Sequence, residues 1–523
     1  MTSKRFLYVA VFISGMTTLA IELSASRLLG SVFGTSNLVW ANVIGLMLLY
    51  LTIGYFIGGR WADRSPYFRT LYRLMIWAAF LSALVPLVAR PILQGAARAV
   101  IGVEAGLALG SFISVLVLFS VPVTLLGCIS PFAIRLAVES PQEAGKVSGQ
   151  IYAISTLGSL LGTFLPTLIL IPELGTTLTF LTFSGVLYII AFIGLWTQNG
   201  VKTLFWLWMP IIIIIFALVV LNGFLRQPPA GSTVLYDDES AYNYIQVVQD
   251  ERGYINLYLN EGQGIHSRYH PDLYEFGGTW DYFLVAPYFN PPPYTMDNVQ
   301  RLLVIGLAAG TIPRQYQRVY GDMHMDGVEI DPDIIHVGEL FFDMNAEYMP
   351  SLTAYAQDGR YILGQLDGDY DVIAIDAYRP PYIPWHLTTV EFFSEVKAHL
   401  SSNGVVAINV GRTSTDRRLV DAMATTMMQV FPSVHAIDVP RSFNTILVGT
   451  QTITTSDNLI ENIELLSPNT PELLLRVMQS SLQNLVAVQS SGIVFTDDRA
   501  PIETLVDSLV INFLLYGDVD AIR

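Results

Sequence analysis

Ahead of residue 226 the chain is built from apolar runs long enough to leave water, and this feature restricts its fold more than any other. A helix crossing the hydrocarbon of a bilayer needs about 20 predominantly apolar residues. Seven runs meet that length, near 6–30, 37–59, 71–94, 105–127, 150–171, 177–196 and 203–223. The last holds Pro210 followed by five isoleucines, Ile211 to Ile215, a surface that only lipid or a buried bundle tolerates. Residues 1–225 are therefore expected to form a multi-pass α-helical membrane domain of about seven spans. They carry 12 of the 28 Lys and Arg and 6 of the 44 Asp and Glu, which leaves 16 and 38 for the remainder. The first part is net +6 and the second net −22, so the two face different solvents. An acidic second part repels nucleic-acid phosphates and attracts small cations; the same acidity also serves solubility alone.

Charge also bears on orientation. With alternating spans, Lys4, Arg5, Arg60, Arg64, Arg69, Arg73, Arg135, Lys146 and Lys202 fall on one side and only Arg90 and Arg98 near the other. The richer side is cytoplasmic by the positive-inside rule, so seven spans place the acidic part outside the cytoplasm. The apolar run after Lys4 and Arg5 is too long for the core of a cleavable signal. Glu22 lies within the first run with Arg27 five residues on, which reads as an ion pair inside the bundle or as part of a substrate path. Gly58, Gly59, Arg60 and Asp63 read as a tight helix end with a local salt bridge, and Gly158, Ser159 and Gly162 as a surface for close helix packing. Cys128 is the only cysteine, so no intrachain disulfide forms.

The Pro/Gly-rich segment 226–232 is the expected linker. Residues 233–295 read as a small β-sheet subdomain, with strand-like runs at 242–248 and 254–259 about a turn at 251–253. Residues 296–523 alternate strand and helix. Strands are expected at 302–306, before 331, before 357, at 372–376 and at 405–410, giving a parallel, doubly wound α/β sheet of Rossmann-like type. Ligands of such sheets bind beyond the carboxyl ends of the strands, where Gly306, Glu329, Asp358 and Asp376 fall. Glycine turns at Gly306 and Gly310 let a ligand approach backbone at a helix N-terminus, and Glu329, 23 residues after Gly306, suits the two hydroxyls of a ribose. Asp358 suits an adenine amino group. His266 and His270 have no further ligands nearby, so no metal site is expected. Residues 471–488 read as an amphipathic helix packed on the sheet.

These residues together resemble the polyamine aminopropyltransferases, the spermidine and spermine synthases, and in particular a bacterial group fused to a membrane domain. The resemblance rests on 22–29, Gly34 and 58–64 in the apolar part, and on 259–267, 306–311, 328–332, 358–360, 371–376 and 496–501 in the acidic part. It implies a methyltransferase/spermidine synthase-type fold that binds decarboxylated S-adenosylmethionine, or a related adenosyl compound, as co-substrate rather than as a tightly held cofactor. An aminopropyl group passes from the sulfonium to an amine while a carboxylate deprotonates the attacking nitrogen. By resemblance Glu329 binds ribose, Asp358 adenine and Gln263 the donor or acceptor chain, and Asp376 is the general base. The family often forms dimers or tetramers, so a homo-oligomer is among the expected partners, with lipid, the adenosyl ligand and an amine.

Two departures set this chain apart. Leu307, Ala308 and Ala309 stand where the family's glycine loop carries an aspartate, and Arg379 stands where the acceptor site has a second carboxylate. Loss of one buried carboxylate partner costs an ammonium about 2–5 kcal/mol, and a reversed charge more. Three functions remain open at this level. They are transfer to an atypical acceptor at the cell membrane, an inactive scaffold or assembly subunit, and a transporter with a regulatory nucleoside-binding domain. Sidedness bears on the choice, because adenosyl donors are cytosolic while the charge count points outward.

Overall fold

A computed structural model describes residues 4–33, 37–99, 106–221, 228–260, 264–377, 383–413 and 416–506. The chain divides into two compact units, Met1–Gln227 with Asp237–Tyr244, and Pro228–Tyr236 with Ile245–Arg523.

The first unit is helical. Helices run over Lys4–Phe33, Asn37–Arg64, Phe68–Ala99, Gly106–Ala137, Ala144–Leu165, Ile171–Asn199 and Trp208–Leu221. Among the described residues, five helical stretches are long and apolar enough to cross a membrane: Lys4–Gly30, Val39–Arg64, Phe68–Ala89, Leu109–Ala137 and Pro141–Val219. The last has 79 residues, far more than one crossing needs at about 1.5 Å per residue. A π-helical turn at Pro166–Leu170 and left-handed backbone at Gly175 (φ +77°) and Gly200 (φ +58°) interrupt it.

Close packing fixes the bundle. A side chain on Gly158 would lie 2.0 Å from the Phe12 carbonyl oxygen and one on Gly162 2.1 Å from that of Met16, so helices Lys4–Phe33 and Ala144–Leu165 touch backbone to backbone. Ser159 Oγ donates to the Gly15 carbonyl at 3.1 Å within the same contact. Two expectations need correction. Gly58, Gly59 and Arg60 lie inside helix Asn37–Arg64 rather than at its end, and Asp63 pairs with Arg135 of another helix at 3.2 Å. Gly58 is small because the Cys128 backbone passes there, 2.6 Å from where a Cβ would stand. Arg27 donates to the carbonyls of Ser240 and of Ala241 (2.9 Å), both in the same unit, and Glu239 Oε2 accepts from the Thr176 amide at 2.7 Å just after the Gly175 break.

The second part of the chain holds two sheets. Strands β1 (Thr233–Glu239), β2 (Tyr244–Gln249), β3 (Ile255–Leu259) and β4 (Ile265–Tyr269) form a four-stranded sheet in that order, in which β2, β3 and β4 pair antiparallel. The larger sheet takes β5 (Arg301–Ile305), β6 (His324–Glu329), β7 (Leu352–Ala356), β8 (Tyr370–Ile375), β9 (Leu400–Gly411), β10 (Ser433–Asp438), β11 (Asn444–Thr450) and β12 (Leu485–Val486). Their order is β12-β10-β11-β9-β8-β5-β6-β7. The five strands from β7 to β9 are parallel, as expected; the apolar runs of β5, β8 and β9 are buried on both faces, whereas β7 at the edge is largely exposed. The three antiparallel strands on the far side were not anticipated. From β5 the chain winds outward through β6 to β7, then returns to β8 on the other flank of β5. The switch point between β5 and β8 leaves a crevice at their carboxyl ends.

Candidate active site

The loop after β5 is built against the end of β8. The Asp376 amide donates to the Ile305 carbonyl at 2.8 Å, and the Gly306 and Leu307 amides both donate to the Val328 carbonyl at 2.9 Å. Gly306 has φ +88°, and a side chain there would meet the Asp376 carbonyl carbon and the Ala377 nitrogen at 2.5 Å. Only glycine fits at that point. Gly310, at φ +82°, precedes helix Thr311–Tyr320, and the Met344 side chain fills the space its Cβ would need. Ala308 takes a left-handed φ of +46° without being glycine.

Glu329 ends β6 beneath this loop and is 9% exposed. Its carboxylate accepts from the Ala308 amide at 3.0 Å and the Asp331 amide at 3.2 Å. Burial pushes its carboxyl up to about 7, against those amide bonds, which favour the ionised form. Each carboxylate oxygen keeps capacity for a further donor such as a ribose hydroxyl. Asp376 follows β8 and is half-buried. Desolvation lifts it to about 7 as well, opposed by a 2.8 Å hydrogen bond from Asn409 Nδ2. Asn444 Nδ2 donates to Asn409 Oδ1 at 2.8 Å and Ser442 Oγ to Asn444 Oδ1 at 2.7 Å, so a chain of side chains on and beside β9 and β11 holds the Asp376 carboxylate.

Asp358 is engaged differently. Its Oδ1 accepts from the Arg360 and Tyr361 amides at 3.0 Å, capping helix Gly359–Leu363, and its Oδ2 lies 2.9 Å from His386 Nε2. A carboxylate in a cap still accepts through its outer oxygen, but an adenine amino group there shares that oxygen with His386. Arg360 next door reaches Glu395 (2.6 Å) and Asp497 (2.8 Å), and Asp497 also accepts from Thr389 Oγ1 at 2.7 Å. The 358–360 and 496–501 motifs therefore meet in one clamp, in which Arg360 holds the Asp497 carboxyl below the usual carboxylate range. Gln263 and Arg379 lie outside the described residues. Gly306, Gly310 and Glu329 gather around the loop after β5, Gly306 also abuts Asp376, and Asp358 stands at the carboxyl end of β7, beyond β6. Sequence reasoning missed Asn409 and His386: an asparagine in a buried strand and a histidine 28 residues after Asp358 carry no motif of their own.

A known domain matches this region: the spermine/spermidine synthase domain covers residues 290–454. The chain is 31% identical over 218 residues to a polyamine aminopropyltransferase of Vibrio vulnificus, covering 69% of that protein and 40% of this chain. The chain belongs to the polyamine aminopropyltransferase family. A "Probable polyamine aminopropyl transferase" of Bifidobacterium longum is 30% identical over 289 residues, 52% of this chain and 62% of that protein's length. A probable spermidine synthase from Corynebacterium glutamicum, known as a crystal structure, aligns over 51% of this chain and 98% of its own at 20% identity and a TM-score of 0.38. Three apolar side chains, Leu307, Ala308 and Ala309, occupy the loop between Gly306 and Gly310 in this chain.

Proposed function

We propose that the chain is a membrane-anchored aminopropyltransferase that takes decarboxylated S-adenosylmethionine, or a close adenosyl relative, as donor and an amine other than a linear polyamine as acceptor. The observation that carries this reading is Asp376, a half-buried carboxyl poised near neutrality and held by Asn409 at the switch point of the sheet, against the loop that would carry the donor. An amine with a pKa of about 10 is mostly protonated at neutral pH, so its attack on the sulfonium-bound carbon needs a base. Asp376 would take that proton, Glu329 would hold ribose, and the carbon–sulfur bond would break to release methylthioadenosine as the new carbon–nitrogen bond forms. An atypical acceptor is supported by Arg379 in the sequence, which stands where the resemblance puts the second carboxylate of the acceptor site.

Membrane residence is supported by the five long apolar helical stretches and by what their outer faces present to the surroundings: Phe164 is 54% exposed, Leu168 68% and Val219 73%. The test is turnover by the full-length chain purified in detergent, with decarboxylated S-adenosylmethionine and a panel of amines, reading methylthioadenosine release. Release with a non-linear amine exceeding that with putrescine or spermidine supports the proposal. Calorimetry that finds no binding of decarboxylated S-adenosylmethionine, S-adenosylmethionine or methylthioadenosine removes it and leaves a scaffold, a reading favoured by the double engagement of Asp358.

A further inference from the structure

Away from the crevice, the outward flank of helix Thr311–Tyr320 borders a cavity of about 250 Å³. Arg314, Gln317 and Arg318 line it from the helix at i, i+3 and i+4, with Tyr274, Asp343 and Tyr348 opposite. The donor loop precedes the N-terminus of this helix, and neither Glu329, Asp358 nor Asp376 lines the cavity.

Its chemistry is cationic. Arg314 is 8% exposed, and its guanidinium lies 4.1 Å from the centre of the Tyr269 ring and 5.0 Å from that of Tyr274. Nη1 reaches Asp343 at 3.3 Å and Nη2 the carbonyls of His270 (3.1 Å) and Pro271 (3.3 Å), while Nε is buried without a hydrogen-bond partner. The Arg314 charge therefore stands at the wall of the cavity while most of its hydrogen bonds are made within the protein. Asp343 also accepts from Tyr269 Oη at 2.5 Å, so its charge is met from within the protein. Arg318 is exposed, lies 5.3 Å from the centre of the Tyr274 ring, and among the described residues has no carboxylate partner. The cavity therefore offers two guanidinium groups against one carboxylate, with an amide and two phenols as further donors, inside a domain that is otherwise strongly acidic.

We infer that this cavity is a second ligand site, separate from the adenosyl crevice, that takes a compact oxyanion, a carboxylate or a phosphate, through Arg314 and Arg318. Arg318, exposed beside the Tyr274 ring, offers paired N–H donors to such oxygens, and Arg314 adds its positive charge at the wall. The test is calorimetry on the full-length chain in detergent at low ionic strength, with inorganic phosphate and acetate as separate probes and methylthioadenosine as a control for the crevice. Saturable binding of at least one anion is expected, with a Kd at or below about 1 mM. Arg318→Ala, at an exposed side chain that leaves the fold intact, should weaken it at least about fivefold and leave methylthioadenosine binding unchanged. Arg314→Lys keeps the charge but not the fork and should weaken it further. Absence of saturable binding by both anions, or binding that Arg318→Ala leaves unaltered, overturns the inference.

Discussion

At the scale of single residues, the proposed chemistry rests on two carboxyls, Glu329 and Asp376, that burial raises to about 7. Asp376→Asn removes the base but keeps a hydrogen-bonding side chain next to Asn409. Turnover should fall about 10²- to 10⁴-fold with donor affinity little changed, which calorimetry and single-turnover rates separate. Since the Asp376 carboxyl sits at about 7, the wild-type rate should climb as pH rises through 7. Stability should move the other way. Glu329 and Asp376 hold protons up to about 7 in the folded chain, whereas their unfolded counterparts ionise near about 4. Between those values the folded state binds more protons, so its ligand-free stability is greatest below the lower value and declines as pH rises through the upper one. Thermal unfolding at pH 5 and pH 8 reads this, and Glu329→Gln should flatten the difference; a melting temperature that rises with pH would contradict the burial argument. Ala308 offers a simpler test, because an alanine at φ +46° bears strain that glycine does not. Ala308→Gly should leave the chain as stable or raise its stability by up to about 1 kcal/mol in denaturant titration.

At the scale of elements, the loop after β5 and the clamp around Arg360 decide whether the crevice keeps its shape. Gly306→Ala forces a Cβ to within 2.5 Å of the backbone at Asp376 and should abolish adenosyl binding even where the chain still folds. Arg360→Met breaks ion pairs to Glu395 and Asp497 whose carboxylates are 43% and 40% exposed. With solvent screening taken into account, the loss should be about 1–2 kcal/mol, and a double-mutant cycle with Asp497→Asn would show the pair coupled. The parallel strands were legible because β5, β8 and β9 are buried on both faces and so read as unbroken apolar runs, and with them the placement of Gly306, Glu329, Asp358 and Asp376 at or just past the carboxyl ends of strands. The antiparallel strands β10 to β12 were not, since His435, Asp438 and Asn444 interrupt their apolar pattern. Nor was the engagement of Asp358 by His386, a contact made by tertiary folding between residues 28 positions apart. The supposed helix end at Gly58 failed for a related reason: glycine there answers to the neighbouring helix at Cys128 and not to a turn.

At the scale of the whole molecule, the number of crossings in the proposed membrane domain decides which compartment the acidic domain would occupy. Nine of the twelve basic residues between Lys4 and Lys202 fall on one side of an alternating bundle, and an odd number of spans would then carry the domain out of the cytoplasm. The weakest span is the last, since helix Trp208–Leu221 has 14 residues and rises only about 21 Å at 1.5 Å per residue, short of a hydrocarbon layer of about 30 Å. Gly200–Leu207 ahead of it is a 3₁₀ helix, whose larger rise of about 2.0 Å per residue adds enough length if both segments run along one axis. The apolar character of the 208–221 helix, with Pro210 the only interruption in its aliphatic and aromatic sequence, favours a full crossing. Protease added to intact cells should therefore remove a C-terminal tag, and permeabilisation should not be required. Protection of the tag until the membrane is opened would mean an even number of crossings, with Trp208–Leu221 lying along the interface; the acidic domain would then share a compartment with cytosolic adenosyl donors, and the charge bias would owe its origin to something other than orientation.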